Sequence, residues 1–439
     1  LWVVSYGNLA RLPQLAERCF AAVVIDEAHL IKNPKTAAFA HVKQLRGRVR
    51  LALTGTPIQN NVLELWSVFD FLLPDYLGPQ ERFRRDYRLL LELNLLACEV
   101  EKMELSPPQR AALNELHARV LPFVMRREKG EVLQDLPPKI IQDIDCELTP
   151  LQQRLYDALL AGETRLAEEV LPEQPRAGEG AAPFFALLGR VRRVLNHPAL
   201  LAEGLDGAAL AGVTAAELRA TGDDFAASGK FLALFDLLLD LGFSADSPAA
   251  NALCPHKLLL FTRCLRTLAL LEAFLARKFP GLALLSMIQA LSPLARSELV
   301  ERFNAAAELK LLLLTPRVGG LGLNLSSADV VVMFDHDFNP MNDLQAMDRA
   351  HRIGQRRVVH VYRLVAKGTL EEKILGVQRF KLAVSSTVVN VENASIDNVR
   401  NADFVGRLEQ FASENRAEQP EEEEQPLLRV LRKMDLEKL

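Results

Sequence analysis

Short apolar runs that each end at a polar residue alternate with helical patterns along the first part of the chain. Residues 23–25 (Val-Val-Ile) end at Asp26, and residues 51–53 (Leu-Ala-Leu) end at Thr54. A helical pattern over residues 36–45 separates the two runs. Strands that alternate with helices pair in parallel, and the helices cover both faces of the sheet. The alternation therefore predicts an α/β fold with a parallel sheet.

A second block of the same kind begins near residue 257. Helical patterns over 293–304 and 341–351 separate its runs, which predicts a second parallel sheet. Residues 150–242, between the two blocks, are predicted to be mainly helical. The apolar runs of the second block are 257–261, 282–285, 310–315, 330–335 and 358–364.

These patterns predict an α/β protein with two parallel-sheet lobes, the first of them incomplete, and helical insertions. Residues 412–426 are acidic and contain proline, which is typical of a flexible tail. The predicted divisions are a partial first lobe at 1–85, a helical protrusion at 86–128, a linker and helical insertion at 129–250, a second lobe at 251–385, and a brace with an acidic tail at 386–439.

Charge and cysteine content narrow the function classes only slightly. The five cysteines are scattered and contain no C-x-x-C pair, so neither a disulfide framework nor a zinc site is indicated. No apolar run approaches the ~18–20 residues of a membrane-spanning helix. The net charge of −4 carries no whole-chain signature of nucleic-acid binding, although arginines cluster at 82–88 and 349–357.

An acidic pair directly follows the first apolar run, in the sequence Val24-Ile25-Asp26-Glu27-Ala28-His29. Open α/β sheets bind their ligands at the carboxyl ends of the strands. One carboxylate there can hold Mg²⁺ through its water shell, and the next can position an attacking water. A lone Asp-Glu pair is usually a surface charge, but its place after a β-branched strand favours the catalytic interpretation.

Two further segments follow strand ends and are rich in small residues. Residues 53–61 (Leu-Thr-Gly-Thr-Pro-Ile-Gln-Asn-Asn) allow a sharp turn and a close backbone approach, although a plain turn explains them better when they are taken alone. Residues 319–325 (Gly-Gly-Leu-Gly-Leu-Asn-Leu) fit a loop whose backbone amides approach a phosphate, more readily of DNA than of a nucleotide.

The most informative segment runs from Asn339-Pro340 through Gln345 to Gln355. If it is helical, Gln345, Arg349 and Arg352 project from one face, because they are spaced by four and three residues. Two guanidinium groups on one face can bind phosphate oxygens and stabilise the charge of a phosphoryl-transfer transition state. The alternative is a basic surface helix.

With these segments in this order, the chain resembles the Swi/Snf class of superfamily-two helicase-like ATPases. The resemblance covers roughly residues 1–385. Within that class it is most similar to the ATPases that remove TATA-binding protein from promoter DNA. The stretches that carry the narrower resemblance are Val132 to Asp143, Asn339 to Asp348, Val358 to Tyr362 and Gly368 to Ile374.

The resemblance implies two RecA-like lobes that bind ATP and Mg²⁺ and move along duplex DNA in the nucleus. It implies that Glu27, Arg349 and Arg352 are catalytic and that Asp26 holds Mg²⁺. The implied nucleotide-binding residues are Asp26, His29, Gln345 and Gly320, and the residues implied to bind DNA or couple to it are Thr54, Gly55, Thr56, Asn60 and Asn324.

One departure from the class leaves alternatives open. The chain contains no G-K-T phosphate-binding loop, which in this class precedes the segment that begins here at Trp2. We expect a motor that lacks its first stretch and that, as this chain alone, hydrolyses ATP poorly. The alternatives are a non-catalytic module that binds DNA or a partner protein, and a general nucleosome remodeller.

Overall fold

The computed structural model describes residues 1–55, 62–88, 107–125, 127, 129–170, 181–202, 210–288, 291–316, 323–376 and 378–379. The described residues fall into two units, which are considered separately. The first takes in those up to residue 125 together with Arg379, and the second those from 127 to 378. None of the helices in these ranges is long and apolar enough to cross a membrane.

The first unit contains a two-stranded parallel sheet of β1 (Cys19–Ile25) and β2 (Arg46–Ala52). Register pairs Ile25 with Ala52, so both strands end at the same edge. Thr36 begins the connecting helix, since its hydroxyl oxygen accepts a hydrogen bond from the Phe39 N–H. The helices described in this unit are α1 (Tyr6–Leu9), α2 (Gln14–Glu17), α3 (Ala37–Gln44), α4 (Val62–Leu72), α5 (Gln80–Asp86) and α6 (Pro107–Val120).

One face of this small sheet is packed and the other is open. Val23 and Ile25 of β1 contact the apolar sides of α3 and α4 in a single core. Val24, Val49 and Leu51, which alternate with the core residues, remain about half exposed. Parallel strands normally bury both faces of their sheet. In this sheet, the described residues cover only one face.

The second unit contains a six-stranded, all-parallel sheet in the order β3-β8-β7-β4-β6-β5. Its three central strands, β7, β4 and β6, are completely buried. The strands are β3 (Lys139–Cys146), β4 (Leu258–Phe261), β5 (Leu284–Met287), β6 (Leu311–Leu314), β7 (Val330–Met333) and β8 (Val359–Ala366).

Helices lie on both faces of this sheet. Leu258 and Leu260 pack into one core and Leu259 and Phe261 into another, as expected from the two-residue period of a strand. The helices described in this unit are α7 (Lys129–Val132), α8 (Pro150–Val170), α9 (Ala181–Asn196), α10 (Ala215–Ala220), α11 (Gly229–Asp240), α12 (Pro248–Leu253), α13 (Leu265–Lys278), α14 (Pro293–Ala305) and α15 (Pro340–Met347).

The predicted α/β class is confirmed by these sheets. One strand was not predicted: β3 lies in the stretch taken as linker and insertion, yet it pairs with β8 over eight residues. Its sequence, Lys-Ile-Ile-Gln-Asp-Ile-Asp-Cys, mixes apolar and charged residues because the strand lies at the edge of the sheet and is largely exposed. An exposed edge strand lacks the continuous apolar run that identifies the central strands.

Candidate active site

Asp26 and Glu27 lie immediately beyond the carboxyl end of β1. Oδ1 of Asp26 accepts a 2.9 Å hydrogen bond from the backbone N–H of Glu27. The hydroxyl of Tyr6 donates to the Asp26 carbonyl oxygen at 2.6 Å. Burial, together with the charges of Asp26 and Glu27, raises the pKa of Tyr6 to about 12, so this phenol remains a donor at neutral pH.

The backbone of Glu27 is left-handed, with φ 52° and ψ 52°. This conformation is unfavourable for a residue with a Cβ, and such residues concentrate at functional sites. The turn is held from the far side, because Ala28 and Ile31 of the following 3₁₀ turn are completely buried. The surrounding core therefore forces the chain to turn at Glu27, which leaves its carboxylate half-buried at the sheet edge.

His29 faces the same carboxylate. Its Nδ1 lies 3.2 Å from Oε2 of Glu27. Burial lowers the pKa of His29, and the opposing influence of Glu27 does not restore it. The imidazole is therefore neutral at neutral pH, and its contact with Glu27 is not a full ion pair.

The end of β2 lies beside the acidic pair. The Leu53 N–H donates to the Ile25 carbonyl oxygen at 2.8 Å, and the Ala28 N–H donates to the Leu53 carbonyl oxygen at 2.9 Å. These bonds extend the β1–β2 pairing past both strand ends and tie Leu53, the residue before Thr54, to the residues on either side of the acidic pair. Thr56 and Asn60, predicted for the same segment, lie outside the described residues.

Asp26 has the chemistry expected of a Mg²⁺ ligand. Its side chain is exposed at the strand end, and carboxylate oxygen is a preferred donor for this ion. Within the described ranges, no group of three His, Cys, Asp or Glu side chains is arranged to hold a metal. A Mg²⁺ ion at Asp26 would thus take most of its ligands from water and phosphate, as is usual for this metal.

In the second unit, the predicted helix over 341–351 ends early. Asn339 begins α15, since its Oδ1 accepts a hydrogen bond from the Met341 N–H at 3.1 Å. After Met347 the N–H groups of Arg349 and Ala350 bond three residues back, at 3.1 and 3.2 Å. The expectation that Gln345, Arg349 and Arg352 share one helix face was therefore wrong, because the two arginines follow the helix in a series of tight turns.

The two arginines also differ in exposure. Arg349 is 3% exposed, whereas Arg352 is only partly buried, as is Gln345 on α15. The Arg349 carbonyl oxygen accepts a 3.1 Å hydrogen bond from the Leu325 N–H, which brings the exposed Asn324 alongside the arginine turn. Gly320, predicted in the preceding loop, lies outside the described residues.

Gln355 closes the turn that carries the arginines, a role that sequence reasoning did not assign. Its Oε1 accepts hydrogen bonds from the N–H groups of Arg356 and Arg357, both at 2.9 Å. Its Nε2 donates to the carbonyl oxygens of Ala328 at 2.7 Å and Ala350 at 3.2 Å. One buried amide therefore ties the end of the motif to the preceding loop.

Comparison with known proteins places the chain in a family. A model of the SNF2-related domain matches residues 4–200, and a model of the helicase conserved C-terminal domain matches residues 234–354. The chain belongs to the Swi2/Snf2 family of helicase-like ATPases. The two parallel sheets agree with the α/β class predicted from the sequence.

Several relatives of this Swi2/Snf2 chain carry names that refer to TATA-binding protein. TATA-binding protein-associated factor MOT1 of Saccharomyces cerevisiae is 41% identical over 441 residues, which is 96% of this chain and 23% of the relative. Human TATA-binding protein-associated factor 172 is 42% identical over 403 residues, or 87% of this chain and 21% of the relative. The chain thus spans about a quarter of the length of these relatives.

Among solved structures, the Sulfolobus solfataricus SWI2/SNF2 ATPase core in complex with double-stranded DNA is 30% identical. The match covers 90% of this chain and 75% of that one, with a TM-score of 0.42.

The Swi2/Snf2 motif at 345–355 also has ionic support that sequence reasoning missed. The carboxylate of Asp348 forms ion pairs with Nζ of Lys129 at 2.8 Å and with Nζ of Lys139 at 2.9 Å. Burial favours a higher pKa for Asp348, but the two lysines outweigh it and lower that pKa, so the carboxylate stays charged. Lys139 is 209 positions from Asp348, and no local pattern signals such a contact.

Proposed function

We propose that this chain is the motor region of an ATP-dependent DNA translocase that remodels protein bound to duplex DNA in the nucleus. The observation that carries the proposal is the acidic pair at the end of β1, with Glu27 held in a left-handed conformation by a buried turn. Two carboxylates at a parallel-sheet edge fit nucleotide hydrolysis better than a surface-charge role.

In this proposal Asp26 holds Mg²⁺ and Glu27 accepts a hydrogen bond from the attacking water. The metal supplies charge neutralisation to the phosphate oxygens when it is bound. His29 and Gln345, with Gly320, contribute to nucleotide binding. Arg349 and Arg352 stabilise charge on the transferring phosphoryl group; Arg352 is partly exposed, whereas Arg349 is buried.

We assign DNA contact or coupling to Thr54, Gly55, Thr56, Asn60 and Asn324. Leu53, the residue before Thr54, bonds to Ile25 and Ala28 on either side of the acidic pair, and this link between the two strand ends supports coupling. We also propose the five divisions predicted from the sequence, except that β3 within 129–250 belongs to the sheet of the second lobe.

The DNA-bound protein that we propose as the substrate is TATA-binding protein. Support comes from the names of the yeast and human relatives, both over 40% identical to this chain. Two chromatin-remodelling relatives are less similar, at 32% identity for the yeast ISWI complex ATPase ISW2 and 34% for Drosophila brm. This difference favours promoter-bound TATA-binding protein over the nucleosome.

Hydrolysis is tested by measuring ATP turnover with and without duplex DNA. The protein as encoded by its gene is compared with its Glu27→Gln variant. We expect DNA to stimulate turnover in the encoded protein, and Glu27→Gln to stop turnover while ATP still binds. DNA binding without any turnover would replace the motor by a non-catalytic binding module.

The substrate is tested separately by following fluorescent TATA-binding protein on a promoter duplex. We expect ATP, but not a non-hydrolysable analogue, to accelerate its release, and Glu27→Gln to abolish the effect. A parallel assay of nucleosome sliding provides the comparison. Sliding without release of TATA-binding protein would identify a general remodeller.

A further inference from the structure

The turn that carries Arg349 and Arg352 is attached to the segment that begins the second unit. Nζ of Lys129 and Nζ of Lys139 contact the two different carboxylate oxygens of Asp348, at 2.8 and 2.9 Å. Asp348 is the residue directly before Arg349, so both contacts act on the point where α15 ends and the turn begins.

Two backbone contacts fasten the other end of the same turn. Nζ of Lys129 also donates to the carbonyl oxygen of His351 at 3.0 Å. Nε2 of His351 donates to the Pro137 carbonyl oxygen at 2.7 Å. The residues held in this way, Asp348 and His351, flank Arg349 on one side and Arg352 on the other.

The two lysines have different supports. Lys139 is the first residue of β3 and pairs in register with Val359 of β8, so it extends from a strand paired along its whole length. Lys129 begins the short helix α7, two residues after the chain passes from the first unit to the second at Arg127. The arginine turn is thus held both by a sheet strand and by the residues closest to the unit boundary.

A turn without helical hydrogen bonds needs such support. The N–H groups of Arg349 and Ala350 bond three residues back and that of Arg352 bonds two residues back, which fixes the backbone less strongly than a continued helix. A displacement of about 1 Å in a catalytic group can reduce a rate roughly 100-fold. Contacts that fix the backbone beside both arginines are therefore expected to affect the rate.

We propose that Asp348 is a positioning residue: its contacts with Lys129 and Lys139 hold the Arg349–Arg352 turn in the conformation that serves ATP hydrolysis. The inference rests on the proposed function, since it presumes that the arginines act on the nucleotide. It adds that residues 129–139 set the position of these arginines.

The test uses Asp348→Asn in the protein as encoded by its gene, because the amide keeps the shape of the side chain and removes its charge. We expect kcat for DNA-stimulated ATP hydrolysis to fall roughly 10- to 100-fold, with KM for ATP within about twofold. Lys139→Gln is expected to lower kcat in the same way, and Lys139→Arg to restore most of it.

Asp143→Asn is the matched control. Asp143 lies on the same strand as Lys139 and forms a bidentate ion pair with Arg363 of β8, at 2.5 and 2.8 Å. This pair joins β3 to β8 without contacting the arginine turn. The control variant is expected to keep its kcat, with any loss confined to thermal stability.

The double variant Asp348→Asn/Lys139→Gln separates a shared role from two independent ones. If the two residues act as a pair, the double variant loses no more of its kcat than Asp348→Asn alone, since the effects of substituting residues in contact do not add. Losses that multiply would overturn the pairing, and so would an unchanged kcat in Asp348→Asn. A fall in melting temperature with kcat unchanged, as expected for the control, would reduce Asp348 to a structural role.

Failure of this inference can be told apart from failure of the proposed function. A normal kcat in Asp348→Asn, together with a large loss in Arg352→Ala, rejects the positioning role alone. A normal kcat in Arg352→Ala removes the arginine role on which the inference rests.

Discussion

Oδ1 of Asp26 accepts a 2.9 Å hydrogen bond from the backbone N–H of Glu27, and Glu27 itself adopts a left-handed conformation. The first carboxylate therefore helps to hold the backbone that places the second. Ala28 and Ile31, which are buried in the core, fix the same turn. Two adjacent acidic residues thus occupy different environments, one exposed and one half-buried.

The left-handed backbone of Glu27 predicts a conflict between stability and activity. The free energy of unfolding of Glu27→Gly is expected to be about 1 kcal/mol larger than that of Glu27→Ala, because glycine tolerates φ 52° and alanine does not. Both variants lose the carboxylate and should not hydrolyse ATP. Chemical denaturation of the two variants measures the difference, and equal stabilities would show that Glu27 carries no backbone strain.

Arg352→Ala is expected to reduce DNA-stimulated ATP hydrolysis by about 10³-fold or more, in line with the loss of an arginine that stabilises transition-state charge. Its affinity for duplex DNA should stay close to that of the unmodified protein. Arg356→Ala, which removes an exposed arginine four residues along the chain, serves as the control and should keep its turnover. Equal activities in the two variants would exclude the proposed role of Arg352.

A buried ion pair in the second unit predicts a large and rescuable loss of stability. Nζ of Lys230 lies 2.5 Å from Oε1 of Glu371, and the side chains are 1% and 3% exposed. The ammonium also donates to the Phe334 carbonyl oxygen at 2.7 Å. Glu371→Gln should lower the free energy of unfolding by about 3–5 kcal/mol, because it leaves a buried charge without its partner.

The double variant Lys230→Met/Glu371→Leu tests whether the cost arises from the lone charge. It is expected to be more stable than Glu371→Gln, since it removes both charges together. Thermal and chemical unfolding of the three proteins decide the question. A double variant less stable than the single one would show that the hydrogen bonds of the pair outweigh the cost of burying its charges.

Asp343 predicts a dependence of stability on pH. Burial raises the pKa of Asp343 from 3.8 to about 7, against hydrogen bonds from Gln378 and the Asp337 N–H that favour the charged form. The folded chain therefore keeps a proton that the unfolded chain releases above pH 3.8. The contribution of Asp343 to the free energy of unfolding therefore falls as the pH rises from about 4 to 7, by at most ~1.4 kcal/mol per pH unit. Above that range it is constant.

Asp343→Asn removes this titration. The stability of the variant relative to the unmodified protein should rise between pH 4 and 7 and then level off, as measured by denaturant unfolding at several pH values. Asp236→Asn, at an exposed aspartate on α11, is the control and should show no such change over this range. A difference independent of pH would mean that Asp343 is ionised throughout.

The sequence alone determined the parallel α/β architecture and the place of the acidic pair. Both depend on local patterns: a buried parallel strand is a continuous apolar run, and its functional residues follow it directly. Val23 to Glu27 show both features within five residues. The four segments at 26–29, 53–61, 319–325 and 345–355, taken in this order, were sufficient for the family.

Only the tertiary structure decided how these residues are held. Helical spacing placed Arg349 and Arg352 on one helix face, but α15 ends at Met347 and the arginines lie in turns held by contacts with residues 129–139. Lys139 contacts Asp348, which lies 209 residues further along the chain, and Lys230 contacts Glu371, which lies 141 residues further along. Such pairs depend on which strands become neighbours in the sheet, and periodicity along the chain contains no information about partners so distant.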